Sequence, residues 1–70
     1  MSREKEMLDR WAKEFASDIL KKEEDPSYES VLDRTLIVRK LSTILEMSYT
    51  ETSSVLDKKI NEFKIKLKFQ

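Results

Sequence analysis

The chain contains no glycine and a single proline, Pro26, in 70 residues. Glycine supplies positive φ at low steric cost, so a chain without it is poorly suited to tight hairpins, phosphate-cradling loops and sandwich folds. Helices joined by short polar connections remain. The 40% charged fraction at zero net charge fits the solvated surface of a small helical domain. Seventy residues bound the chain to one small domain over 1–70, of a size that rarely supplies more than about 3–5 kcal/mol from its core alone.

The usual reinforcements are also missing. With no Cys, neither a disulfide framework nor a thiolate zinc site can form. With no His, the commonest metal ligand and the commonest general base are absent. Good helix packing, or association with another chain, has to serve instead. No apolar run reaches the roughly 20 residues of a membrane span and no signal peptide is visible, so a cytoplasmic setting is expected. Residues 1–33 carry six Lys/Arg and ten Asp/Glu, whereas residues 34–70 carry eight and four. The chain is therefore acidic in its first half and basic in its second, with most of this charge expected on a solvated surface.

Three helices are predicted. Ser2 is a candidate N-cap for the first, with Glu4 and Glu6 in its first turn. Leu8, Trp11, Ala12, Phe15 and Ile19 form an apolar stripe, widened by Met7, Ala16 and Leu20. Lys5, Asp9, Lys13, Glu14 and Lys21 are assigned to the solvent face. Lys21 to Ser27 mark a boundary, since lysines suit a helix end and Pro26 disfavours helical geometry at Asp25. The second helix is predicted from about Pro26 to Glu46, capped by Asp25 or Ser27. Its apolar positions, among them Tyr28, Val31, Ile37, Val38, Leu41 and Ile44, cover more than one face, as in a central helix touching two others. Ser48 and Glu51 have the spacing of a capping box that starts a third helix, with Thr52, Val55, Leu56, Ile60, Phe63 and Leu67 inward.

The final stretch, Phe63 to Phe69, satisfies two periods at once. Apolar residues alternate there with Lys64, Lys66 and Lys68, as in a strand, yet Leu56, Ile60, Phe63 and Leu67 lie at helical spacing. One continuous third helix, a break near Asp57, and a terminal strand that pairs with another sheet edge are all compatible with this pattern. Residues 45–67, with Ser48-Tyr49, Leu56-Asp57 and the basic Phe63-Lys64-Ile65-Lys66-Leu67, resemble the helix-turn-helix of bacterial sigma-factor region 4. The resemblance implies a cap at Ser48-Tyr49 and a turn at Leu56-Asp57. It further implies that Lys58, Lys59, Lys64, Lys66 and Lys68 face phosphate while Asn61 approaches a base edge.

Chemistry is not favoured. Glu23, Glu24 and Asp25 lack the spacing of a metal loop and read as a solvated helix terminus; Ser48, Ser53 and Ser54 have no base to activate them. The expectation is an all-α protein, a three-helix bundle or helical hairpin with an N-terminal amphipathic helix. It is non-enzymatic, has no cofactor or metal, and binds another protein or itself through the apolar anchors Trp11, Phe15, Ile37, Leu41, Phe63 and Phe69. A DNA-binding regulator is the alternative, and a membrane surface is disfavoured by the zero net charge and acidic first helix.

Overall fold

The computed structural model describes residues 3–69. It is an all-α three-helix bundle: α1 spans Arg3–Glu24, α2 spans Arg34–Leu45 and α3 spans Tyr49–Lys68. None of the described residues is in a strand. The Ser2 cap expected for α1 lies outside the described residues, but Glu4 and Glu6 sit in the first turn and Lys21 and Lys22 in the last, matching the helix dipole at both ends.

One core holds the helices together. Leu8, Ala12, Phe15 and Ala16 of α1 meet Ile37, Val38 and Leu41 of α2 and Leu56 and Ile60 of α3. Val38, Leu41 and Leu56 are almost completely buried, and each contributes roughly 1.5–3 kcal/mol of transfer free energy. Ala12 and Ala16 are fully buried and carry no bulk beyond Cβ, so α1 lies close along α3, its main packing partner. Thr52 is the one buried polar side chain among the described residues; its hydroxyl donates to the Ser48 carbonyl at 2.8 Å. Asp9, expected on the solvent face, is instead half-buried and turned toward α3.

The second helix begins later than predicted. Asp33 is its N-cap, accepting from the Leu36 amide at 3.1 Å, whereas residues 25–33 form an irregular strap. Asp25 is spent elsewhere. Its carboxylate accepts from the amide and the hydroxyl of Ser27, and its carbonyl accepts from the Tyr28 amide, closing a turn with Pro26 at the second position. Lys22 then donates to the carbonyls of Pro26 and Tyr28. These bonds hold the strap against the end of α1, so Tyr28 and Val31 do not reach a helical face.

The turn between α2 and α3 takes only Glu46, Met47 and Ser48. Glu46 adopts the left-handed conformation at φ 54° and ψ 44°. Its amide bonds to the Thr43 carbonyl and the Met47 amide to the Ser42 carbonyl, the Schellman pattern that glycine usually occupies. Ser48 accepts from the Glu51 amide at 3.1 Å, the serine arm of the predicted capping box. Beyond it α3 runs without a break through Leu56, Asp57 and Lys58, so the chain makes no turn there, and the alternating tail is helical to Lys68.

Arg34 fixes how far α2 folds back. Its guanidinium donates to Ser53 Oγ at 2.8 Å and pairs with Asp57 Oδ1 at 2.7 Å. Along their helices Arg34 and Asp57 lie roughly 17 Å and 13 Å from the turn; at a right angle they would stand about 20 Å apart, beyond a side-chain pair. The two helices therefore close to an acute hairpin rather than splaying.

Because a left-handed residue with a Cβ costs roughly 1–2 kcal/mol relative to glycine, Glu46→Gly should stabilise the fold by about 0.5–1 kcal/mol, read as a higher urea midpoint at unchanged m-value. No change, or a loss, would show that Glu46 makes compensating contacts.

Candidate functional site

The short α2 leaves part of the bundle open. Its Leu36 and Ile44, with Met7 and Trp11 of α1 and Val31 and Leu32 of the strap, line a groove of about 420 Å³. Leu36 is 48% exposed and Val31 91% exposed. Ile37 and Leu41 form the floor. Asp33 and Lys40 also line it, and Arg10 and Glu14 line an adjoining hollow that shares Met7, Trp11 and Leu32 with it. An apolar centre ringed by charge is the arrangement found in protein–protein contacts.

The strap that forms one wall is anchored to α1. The Tyr28 hydroxyl donates to Asp18 at 2.7 Å, and Lys21 lies over the Tyr28 ring at 6.0 Å. Hydrogen bonds from Ser30 and then Tyr28, aided by Lys21 and opposed by desolvation, hold Asp18 below its ordinary value of 3.8. The same bond to Asp18 raises Tyr28 above its ordinary 10.0. Asp25 is likewise lowered by its bonds from Ser27.

The six apolar anchors named from sequence do not share one surface. Phe15, Ile37 and Leu41 are buried in the core. Trp11 is half-buried and exposes one side to the groove, where Ile37 and Leu41 also reach. Phe63 is half-buried on α3, and Phe69 stands 81% exposed at the far end of that helix. Sequence reasoning missed Met7, Val31 and Leu36 as surface residues. The available signal was the surplus of apolar positions in the second predicted helix, more than two helix contacts consume.

The basic residues of α3 are also divided. Lys59 points to α1 and approaches Asp9 Oδ1 at 3.4 Å, an oxygen otherwise buried without a hydrogen-bond partner. Lys64 lies 3.9 Å from Glu23, and Lys66 lies over the Phe63 ring at 5.3 Å. Lys58 and Asn61 border a polar hollow with Tyr49, Thr50, Ser53 and Asp57, while Asn61, Lys64 and Lys68 surround the exposed Ile65 and Phe69. The five lysines and Asn61 do not form one continuous face.

Glu23, Glu24 and Asp25 are exposed, and among the described residues no group of three or more His, Cys, Asp or Glu is arranged to hold a metal ion. No described helix is long and apolar enough to cross a membrane. Comparison with protein-family models, with curated proteins and with solved structures finds no match to this chain.

Two outcomes follow from this geometry. Asp18 is lowered on folding, so its contribution is present above pH 3.8 and is lost as pH falls through the folded value; Tyr28 is raised, so its contribution is present below pH 10.0 and is lost as pH rises through its folded value. NMR shifts of Ser30 and Val31 should therefore move together at both extremes, and Asp18→Asn should abolish the acid step and bring the alkaline step back toward the ordinary tyrosine value, because the same carboxylate causes both shifts. Separately, Lys59→Ala should destabilise by about 1 kcal/mol because it strips the cation from Asp9, whereas Lys58→Ala should stay within about 0.5 kcal/mol. Equal urea midpoints for these two variants would contradict the assigned pairing.

Proposed function

We propose that this chain is a small non-enzymatic protein-interaction module, an adaptor or regulator that presents the groove between α1 and α2 to another polypeptide. The observation that carries the proposal is the exposed apolar lining of that groove, with Leu36 and Val31 outermost and Trp11 at its side. Aromatic side chains set beside a partly desolvated pocket are frequent binding anchors. The groove suits the apolar stripe of a helix, which would place residues at i, i+3 and i+4 into it. Regulation on this reading is by occupancy: the module acts when the groove is filled and is idle when it is open.

A DNA-binding regulator is the second reading. It draws on the polar hollow along the first half of α3, where Tyr49, Thr50, Ser53, Lys58 and Asn61 offer hydrogen-bonding groups. It is weakened by the engagement of Lys59 and Lys64 with carboxylates, and by the acute closure of α2 on α3 where DNA-binding helix pairs stand at about 90–120°.

A photoreactive phenylalanine analogue placed at Leu36, and in a second variant at Lys58, tests both. Irradiation in cells should give a covalent adduct with a polypeptide from position 36 and no nucleic-acid adduct from position 58. Absence of any polypeptide adduct at 36 would overturn the module proposal. A DNA adduct at 58 that weakens steeply with added salt would establish the second reading in its place.

A further inference from the structure

We propose that the polypeptide filling the groove is a second copy of this chain, so that the module is a homodimer paired through its α1–α2 face; this rests on the interaction reading above and names its partner. Three observations converge on it.

The first is surface area. The chain exposes 5408 Å² at a mass of 8.4 kDa. A folded monomer of that mass exposes about 4,600 Å² by the scaling law for monomeric proteins. The surplus of about 800 Å² is similar in size to what one partner buries in a standard interface. The shape agrees: the body measures 36 × 24 × 17 Å, and its radius of gyration is 12.4 Å where about 11 Å is typical of 70 residues. Two such elongated bodies laid side by side recover the compactness that one lacks.

The second is the charge on the rim. A two-fold axis matches a patch with itself, so the patch has to be complementary to its own copy. Arg10 and Lys40 supply two positive charges and Glu14 and Asp33 two negative ones along the groove and the hollow that adjoins it. Arg10, Glu14 and Lys40 make no ion pair among the described residues, and Asp33 accepts only as a helix cap. A rim of equal and opposite charge without partners on its own chain is suited to pairing across a two-fold. A groove specialised for a strongly acidic or basic partner would carry one sign.

The third is net charge. A protein far from neutrality resists meeting its own copy, because like charge repels at long range. This chain stands at zero, with an acidic first half and a basic second. Long-range electrostatics therefore place no barrier between two copies.

In the dimer Leu36 and Val31 would lose their exposure and Trp11 would be covered from its open side. Trp11 is the only tryptophan, so its emission reports the groove alone.

The test is sedimentation equilibrium of the purified full chain from low micromolar to millimolar concentration, with Trp11 emission followed in parallel. A dimer mass is expected, with emission shifting to shorter wavelength as the dimer forms. Leu36→Lys should weaken association about a hundredfold or more, by burying an unpaired cation at the centre. Arg10→Glu combined with Lys40→Glu makes the rim uniformly acidic and should also give monomer, without touching the core. Phe69→Lys, on the opposite end of α3, should leave association unchanged. Far-UV circular dichroism confirms that each variant keeps its helices.

A monomer mass at every concentration overturns the homodimer. So does a dimer indifferent to Leu36→Lys and to the double reversal, or one abolished by Phe69→Lys. A monomer mass together with a photo-adduct to a different polypeptide from position 36 removes this proposal while the interaction module stands. A monomer mass with no polypeptide adduct removes both.

Discussion

The close seam between α1 and α3 sets the terms for the rest of the molecule. Ala12 and Ala16 are fully buried with no bulk beyond Cβ, and Leu8, Phe15, Leu56 and Ile60 share the core with them. Each long helix commits most of its apolar stripe to the core, while Met7 and Trp11 of α1 border the groove. The third element has to cover what remains with 12 residues, about 18 Å of helix, against partners of 22 and 20 residues. Val38 and Leu41 complete the core, and Arg34 ties the start of α2 to Ser53 and Asp57. That tether draws α2 toward α3. The side of α2 nearer the first half of α1 is left ajar, and Leu36 and Ile44 face the gap.

Chain reversal without glycine takes two forms here. Between α2 and α3, Glu46 accepts a left-handed conformation that its Cβ disfavours, in exchange for closing two carbonyls of the last turn. Between α1 and α2, no residue leaves the right-handed or extended regions among the described ones. Reversal is spread over a nine-residue strap, held by Asp25, Lys22 and the Tyr28–Asp18 bond. The strap shortens α2 from the helix that sequence periodicity suggested, and that shortening opens the groove. The missing glycine and the exposed apolar surface are thus linked through one local competition: Asp25 serves Ser27, and Asp33 caps the helix instead.

This competition explains which parts of the molecule were legible from the sequence. The stripe Leu8, Ala12, Phe15 and the ladder Leu56, Ile60 repeat over several turns, and period alone places them in a core. The Ser48 cap was readable because its partner amide lies three residues away. The strap was not. Tyr28 and Val31 keep helical spacing with Val38, and only bonds to α1, ten residues away in the case of Asp18, pull Tyr28 out of register. The double period of Phe63 to Phe69 resolved as helix for a related reason: Phe63 and Leu67 pack against the existing core, whereas a strand there has no described partner. The groove was hardest to see, because an apolar residue at a helical position carries the same signal whether or not another helix arrives to cover it. Leu36 and Leu41 are indistinguishable by type and differ only in what reaches them.

The strap also couples the groove to the far end of α1. Val31 and Leu32 form one groove wall, and three residues earlier Tyr28 is anchored to Asp18 and stacked beneath Lys21. Val31 lies on a segment with no helical or sheet hydrogen bonds of its own, the kind of segment that opens more readily than packed helices. Yet the strap cannot swing away while Tyr28 and the Lys22 contacts hold its base. A surface built this way combines a rigid floor from Ile37 and Leu41 with one adaptable wall.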